Sequence, residues 1–274
     1  MHVGCHISIK NGIDKAPKRA ADLGCEVMQI FTRSPQGGKT PELTPEIISQ
    51  FNLETKIYNL KAVYIHTPYY INLASSNNRI RYGSAKAIHE ELERGTLLGA
   101  KYVLTHLGSA KDLGGKNALK KAAEMLSKSL ENYNGSCKLL LENSAGAGEI
   151  IGDTFLELSQ IIKLTDNKNI AGICLDTQHS FASGYDWRDF EKNLKKIDEE
   201  IGLENIKLIH CNDSQSDCAS RVDRHENIGK GKIGKESFEK IVQFAKDKNI
   251  DLICETKHPE VKEDIKLLKY FRDK

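Results

Sequence analysis

The stretch IAGICLD, residues 170–176, is a run of mostly apolar residues that ends in a carboxylate, and it decides the fold prediction. Continuous apolar runs of this length are typical of strands buried on both faces in a parallel sheet. Five further stretches repeat the pattern at intervals of about 34 to 45 residues, enough for one strand, one helix and two loops. They are AVYIH (62–66), KYVLTH (101–106), KLLLE (138–142), NIKLIH (205–210) and DLICE (251–255), and each ends in a histidine or a glutamate.

Two more strand candidates, VGCHIS (3–8) and EVMQIF (26–31), bring the set to eight, and helix-like segments alternate with them. Thr44-Pro45-Glu46 is a helix start signal with proline at the first helical position, and Asp153 is a candidate N-cap. The predicted helices cover residues 12–24, 44–60, 78–99, 116–134, 152–166, 187–203, 234–248 and 259–272.

Eight strand–helix units predict a (β/α)8 TIM barrel, for which about 250 residues is typical, so residues 1–274 form one domain. An open doubly wound sheet is the alternative. It would normally carry a GxGxxG turn after its first strand, whereas this chain reads GCHISIKNG at residues 4–12. The polar residues that end strands 3 to 8 converge only if the sheet closes, which favours the barrel.

Composition describes an ordinary globular chain, with 39% apolar residues, 28% charged residues and a formal net charge of +2. No apolar run approaches the roughly 20 residues that a membrane helix needs. The opening MHVGCHISIK begins a strand at once, so we expect no signal peptide and a cytoplasmic location. The seven cysteines are odd in number and form no CxxC pair, which favours buried free thiols over disulfides.

The strand-end residues are the types that bind transition metals, and a (β/α)8 barrel places its chemistry at the C-terminal ends of its strands. His66, His106 and Glu142 would form a three-ligand site with one open position, as in catalytic zinc sites. A second site would use Glu142 as a bridge to the next ion. Its ligands would be Glu142, Asp176, His210 and Glu255.

A third site is predicted from residues that lie just beyond the strand ends. His179 follows Asp176 by three residues, and Asp223 and His225 point the same way if that segment is extended. Mixed histidine and carboxylate ligands suit zinc or manganese better than magnesium or calcium. Three divalent ions would also outweigh the four carboxylates and make the pocket attractive to phosphate.

Several segments resemble a known family, endonuclease IV, which comprises zinc-dependent apurinic/apyrimidinic (AP) endonucleases. Its signature segments resemble LENSAG (141–146), DTQHSFASGYD (176–186), HCNDSQ (210–215) and SRVDRHENIGKG (220–231). The shorter segments GCHIS (4–8), IHTPYYINLAS (65–75) and THLGS (105–109) are also similar. The resemblance runs from about residue 3 to residue 258, so it covers nearly the whole chain.

The resemblance implies a barrel with three zinc ions, with manganese possible at one site. His66, His106 and Glu142 would hold the first ion, Glu142, Asp176, His210 and Glu255 the second, and His179, Asp223 and His225 the third. The family's reaction is hydrolysis of the phosphodiester 5′ to an abasic site in duplex DNA, leaving a 3′-hydroxyl and a 5′-deoxyribose phosphate, together with cleaning of blocked 3′ ends. Glu255 and Glu142 are the candidate catalytic residues.

The resemblance also implies a DNA interface on the loops around the barrel mouth, used by a monomer. Its candidate contacts are Tyr69, Gln36, Arg33, Arg224 and Lys230. The family commonly has Asn-Pro-Arg in the loop after strand 2, where this chain has Ser34-Pro35-Gln36. Because glutamine is neutral and shorter, either Arg33 replaces the usual arginine or the DNA is held differently. His258 also departs from the family pattern, and nothing in the sequence explains it.

Two other functions are weighed against this prediction. Divalent-metal sugar isomerases and epimerases share the barrel but need one or two metals, and the third site argues against them. A protein that only binds damaged DNA would be expected to lack a ligand, and no ligand is missing. Metal stoichiometry separates the first alternative from an AP endonuclease, and turnover separates the second.

Overall fold

Eight parallel strands close into a barrel in the computed structural model, which describes residues 1–274. The barrel strands are β1 (Val3–Ile7), β2 (Val27–Ile30), β3 (Val63–His66), β4 (Tyr102–Thr105), β5 (Lys138–Glu142), β6 (Ile170–Asp176), β7 (Ile206–His210) and β10 (Asp251–Cys254). Around the barrel they follow the order β1-β10-β7-β6-β5-β4-β3-β2. The predicted (β/α)8 barrel is therefore confirmed, and the open sheet is excluded.

Helices cover the outside of the barrel and follow the predicted segments closely. They are α1 (Ala16–Asp22), α2 (Pro45–Ile57), α3 (Asn78–Leu97), α4 (Gly115–Ser129), α5 (Phe155–Thr165), α7 (Phe190–Ile201), α8 (Lys235–Asp247) and α9 (Val261–Asp273). Thr44 caps α2 as predicted, since its side chain accepts from the Ile47 amide. The predicted cap of α5 was wrong by one residue: Thr154, not Asp153, accepts from the Glu157 amide.

Two small elements beyond β6 and β7 were not predicted. A short helix, α6 (Thr177–Ala182), begins immediately after β6. The long segment after β7 contains an antiparallel pair, β8 (Asp213–Ser214) and β9 (His225–Glu226), in which Ser214 lies opposite His225. Both elements are too short to show a period in the sequence, and both lie at the barrel mouth.

Two apolar clusters stabilise the barrel. A cluster of 7 buried residues, including Val27, Tyr64 and Leu104, fills its interior, and a cluster of 63 lies mainly between strands and helices. Gly4 allows β1 and β2 to approach, because a Cβ there would lie 1.8 Å from the Val27 carbonyl oxygen. This packing gives a rigid frame for the side chains at the strand ends.

All seven cysteines are free thiols, and six of them are buried, so the predicted absence of disulfides is confirmed. Cys5 and Cys25 approach to 3.6 Å between their sulfur atoms, which is a contact between thiols and not a bond. No helix combines the length and the apolar character that crossing a membrane would require.

Candidate metal centre

The barrel brings the nine predicted ligands to its C-terminal mouth. His66, Glu142, Asp176 and His210 are the last residues of β3, β5, β6 and β7. His106 and Glu255 follow the last residues of β4 and β10 directly. His179 lies in α6, His225 is the first residue of β9, and Asp223 lies two residues before β9 in the loop that joins it to β8. Three groups of donor atoms result. The donor atoms of the first two predicted sites, and those of His179 and His225 together with Asp176, lie within 4.8 Å of one another.

The first group consists of His66, His106 and Glu142. The Nε2 atoms of His66 and His106 lie 2.9 and 3.5 Å from Glu142 Oε2. His66 Nδ1 lies 2.6 Å from the Thr67 carbonyl oxygen, which requires that nitrogen to carry the proton and donate it. Its Nε2 is then left with a lone pair facing the group, as a metal-ligating histidine needs.

The second group lies against the other oxygen of Glu142. His210 Nδ1 lies 2.9 Å from Glu142 Oε1, 3.3 Å from Glu255 Oε2 and 3.8 Å from Asp176 Oδ2. The Glu142 carboxylate is fully buried, with Oε2 facing the first group and Oε1 facing the second. This is the arrangement that a bridging carboxylate between two ions requires.

The third group forms where α6 meets the β8–β9 pair. His225 Nε2 lies 3.4 Å from His179 Nε2, and each of these nitrogens lies 3.5 Å from Asp223 Oδ1. His179 Nδ1 donates to the Asn143 carbonyl oxygen at 3.0 Å, so its Nε2 faces the group. Asp176 borders this group as well as the second one, since it clusters with His179 and His225.

These spacings fit transition-metal ligation. Donor atoms about 2.0–2.2 Å from one tetrahedral ion lie about 3.3–3.6 Å from each other, and the third triangle matches that range. The donors are imidazole nitrogens and carboxylate oxygens, the mixture that zinc and manganese accept. The residues present therefore fit the metals that the sequence predicts.

The electrostatics of the cluster also favour cations. Burial would raise the pKa of Glu142, but His106, His210 and His66 reverse this and hold it well below its ordinary value. Burial likewise opposes ionisation of Asp223, yet its hydrogen bond and charge interaction with His179 lower its pKa to about 2. Burial lowers the pKa of His106 to about 4, so its imidazole is neutral near pH 7 and available to a metal.

Two clefts meet over this centre. A cleft of about 600 Å³ lies on the side of His106 and Ser109, and another of about 640 Å³ lies on the side of Lys10 and His258. Tyr69, His225 and Glu255 line both clefts. Because they share these residues, the clefts form one trough across the barrel mouth.

The loops after β2 and β3 form one rim of the trough. Tyr69 is 67% exposed, and its ring packs edge-on against Phe31 at 5.3 Å between centroids. Its amide donates to the Pro35 carbonyl oxygen at 3.0 Å, which ties the two loops together. Gln36 is exposed at the tip of the neighbouring turn, where the Gly37 amide donates to the Ser34 carbonyl oxygen. Tyr69 and Gln36 are thus free to meet a ligand.

Arg33 does not match the DNA-contact prediction. It is 6% exposed, and its guanidinium pairs with the buried Glu91 and, at 3.0 Å, with Glu90. Both glutamates belong to α3, so Arg33 anchors the start of the β2 loop to the outer helix layer. A guanidinium held in this way is not available to DNA, so Arg33 cannot take the role that the resemblance would give to an arginine in place of Gln36.

The basic residues on the opposite rim are accessible. Arg224 and Lys230 are exposed. The nearby Lys232 forms an ion pair, with its Nζ 3.7 Å from Asp217 Oδ1. The turn that carries the lysines is fixed from below by Asp213, whose carboxylate accepts from the amides of Gly229, Gly231 and Ile233. His258 is exposed and lines the second cleft, and the structure gives no reason for a histidine at this position.

Sequence reasoning missed two polar residues beside the second group, His6 and Gln29. Gln29 is fully buried and hydrogen-bonds both Glu255 and His210. His6 lies next to it, 3.7 Å from Glu255. A signal for Gln29 was present, because it is the single uncharged polar residue inside the strand EVMQIF.

Similarity to known proteins identifies the family of this chain. The family model described as "Xylose isomerase-like TIM barrel" matches residues 17–271. The probable endonuclease 4 of Methanoculleus marisnigri is 39% identical over 96% of this chain and 94% of its own length. The chain belongs to the endonuclease IV family. The crystal structure of endonuclease IV from Thermus thermophilus superposes with a TM-score of 0.86 at 32% identity, covering 100% of this chain and 98% of that one.

Sugar epimerases share the barrel at a greater distance. A D-tagatose 3-epimerase-like protein superposes with a TM-score of 0.76 but is 22% identical, covering 100% of this chain and 97% of that one. Similarity at this level shows the fold alone. The family membership, and not the fold, therefore separates this chain from the isomerase alternative.

Proposed function

We propose that this protein hydrolyses the phosphodiester 5′ to abasic sites in duplex DNA, using three metal ions, and that it also cleans blocked 3′ ends. Membership of the endonuclease IV family makes it a DNA-repair hydrolase of the AP endonuclease class. The observation that supports the finer proposal is the convergence of three donor groups on one trough, with Glu142 shared between two of them.

The metal ligands in this proposal are the nine side chains of the three groups. When bound, zinc ions would supply Lewis acidity, lower the pKa of a water molecule and neutralise charge on the phosphate. The ligands are His66, His106, Glu142, Asp176, His179, His210, Asp223, His225 and Glu255.

Two carboxylates are proposed as catalytic. Glu255 is more accessible than the fully buried Glu142 and lines both clefts, so it is placed to orient an attacking water and accept its proton. Glu142 would hold the first two groups at a fixed spacing through its two oxygens. Burial opposes the charge on Glu255, but His210 and His6 hold its pKa well below the ordinary value, which keeps it ionised.

DNA would lie along the trough and be held from both rims. Tyr69 presents an exposed ring above the metal centre, where it can fill the space of a displaced nucleotide. Arg224 and Lys230 are proposed to contact phosphates, and Gln36 to approach the duplex as a neutral group. We further propose that the enzyme acts as a monomer, in the compartment that holds the genome.

Incision of a duplex oligonucleotide with one tetrahydrofuran abasic analogue tests the proposal. The analogue cannot undergo β-elimination, so a product with a 3′-hydroxyl must arise by hydrolysis. We expect cleavage by a preparation with close to three metals per chain, and its loss in Glu255→Gln. Glu149→Gln is the matched control, since Glu149 is exposed on the same face of the barrel and has no side-chain hydrogen bond.

The two rejected functions predict different results. A protein with one or two metals and no cleavage would support the sugar isomerase class. Three metals and tight DNA binding without turnover would support a non-catalytic binder. Either outcome would overturn the proposed function, and metal content measured on the same preparation tells them apart.

A further inference from the structure

Gln29 is a buried amide in the wall of the metal centre. It lies on β2 opposite His6 of β1, and its side chain is shielded completely from solvent. Its Nε2 lies 2.6 Å from Glu255 Oε1 and 3.0 Å from His6 Nδ1, and its Oε1 lies 2.7 Å from His210 Nε2. One amide therefore contacts two of the four side chains of the second group.

The chemistry of its partners determines the orientation of the Gln29 side-chain amide. The ionised carboxylate of Glu255 can only accept hydrogen bonds, so the amide atom 2.6 Å away must be the NH2 group. With the amide reversed, two oxygens would face each other in a buried site. The carbonyl end of Gln29 consequently faces His210, and its second N–H faces His6 Nδ1, which accepts.

This orientation determines which atom of His210 is free. An amide oxygen can only accept, so His210 must carry its proton on Nε2 and donate it to Gln29 at 2.7 Å. In the neutral ring, Nδ1 then holds the lone pair, and it is the nitrogen that faces Glu142 and Glu255. Partners of this kind set the tautomer and the ring orientation of metal-bound histidines.

The same amide gives the two carboxylate oxygens of Glu255 different partners. Oε1 accepts from Gln29, while Oε2 lies 3.3 Å from His210 Nδ1, inside the second group. Gln29 therefore holds Glu255 and His210 in one mutual geometry, through opposite ends of one rigid planar group.

We propose that Gln29 is a positioning residue for the second metal position, presenting Nδ1 of His210 and Oε2 of Glu255 to one ion. The inference rests on the proposed metal-dependent function and adds a residue that binds neither metal nor DNA. A buried amide without partners would destabilise the barrel, so the three hydrogen bonds also explain why a polar residue is tolerated inside β2.

Gln29→Met tests the inference, because methionine has a similar size and cannot form these hydrogen bonds. Loss of a partner of this kind typically weakens metal binding by about 10–100-fold. We therefore expect the variant to lose one metal per chain to a chelator concentration about 10–100 times below that needed for the wild type. Gln243→Met is the matched control, since Gln243 bonds only the Phe271 carbonyl oxygen, far from the mouth.

Thermal unfolding with and without metal distinguishes positioning from a purely structural role. A positioning residue should reduce the rise in Tm that metal produces, whereas a packing defect should lower the Tm of both forms equally. If Gln29→Met does not fold, Gln29→Asn replaces it: the amide is kept but is one methylene shorter and cannot reach both Glu255 and His210, so the same loss of one metal is expected.

The outcomes separate the inference from the function on which it rests. A wild-type protein that binds no metal and cleaves no abasic DNA would overturn the proposed function itself. A wild type with three metals, together with a folded variant at position 29 that retains all three with unchanged chelator resistance, would overturn only the role of Gln29.

Discussion

Replacing Arg33 with methionine should destabilise the protein strongly while leaving its intrinsic affinity for DNA nearly unchanged. The guanidinium is buried and pairs with Glu91, which is itself 0% exposed. Methionine keeps much of the apolar stem but leaves the Glu91 carboxylate without its cation. Thr32 still donates to Glu91 at 2.6 Å, whereas Arg94 bonds Thr32 and Pro41 and forms no ion pair with Glu91.

Removing one partner of a buried ion pair typically costs about 3–5 kcal/mol, because the other charge stays buried. For a chain of this size each kcal/mol corresponds to about 2–4 °C, so we expect Tm to fall by roughly 6–20 °C. Arg188→Met is the matched control. Arg188 and Asp186 form an exposed pair at 2.7 Å, and losing such a pair typically costs about 1 kcal/mol or less.

Two assays on the same preparations test the predicted effects of Arg33→Met on stability and on DNA affinity. Thermal or urea unfolding gives the stability change, and DNA affinity is measured well below the lower Tm. Arg224→Met should show the opposite pattern, with weaker DNA binding and little loss of stability, because Arg224 is exposed. The reasoning is refuted if Arg33→Met unfolds at about the same temperature as the wild type, or if it loses DNA affinity while keeping its stability.

Three further predictions follow from other parts of the molecule. Gln36→Arg should tighten DNA binding and steepen its dependence on log salt by about one unit, measured by titration at several salt concentrations. Metal removal by a chelator should lower the free energy of unfolding by about 4 kcal/mol for each ion whose Kd lies about 1,000-fold below its free concentration. Glu26 bonds the Val3 amide and Arg272; burial raises its pKa, but Arg272 reverses this and lowers it overall. Its contribution should therefore be present above about pH 4.3 and be lost as pH falls through the lowered pKa, so Glu26→Gln should destabilise more at about pH 7 than at about pH 3 in urea unfolding.

The barrel and most of the site were predictable because both depend on local sequence. A strand buried on both faces needs an apolar run, and the residue at its end must lie at the barrel mouth once the sheet closes. His66, Glu142, Asp176 and His210 are the last residues of their strands, so their convergence followed from the fold alone. The spacing of His179 from Asp176 and of Asp223 from His225 suggested the third site, and the resemblance to endonuclease IV implied the same three ligands.

Arg33 and Gln29 show what the sequence could not provide. Arg33 follows β2 in a loop that also contains Gln36, and only the packing of α3 brings Glu90 and Glu91 against it. Gln29 bonds partners that are 181 and 226 residues away in the chain. Contacts of this kind depend on the radial position of a side chain in the barrel, and a single sequence contains no direct record of that position.

Asp176 explains why the second and third groups keep a fixed relation to each other. Its Oδ1 accepts from the His179 amide at 2.8 Å and so caps α6, while Oδ2 accepts from Asn212 at 2.7 Å and lies 3.8 Å from His210 Nδ1. A side chain that ends β6 and also starts α6 sets where His179 lies relative to the second group. The short helix thus extends the rigidity of the barrel to a ligand that lies outside it, and only the hairpin residues Asp223 and His225 depend on a loop for their placement.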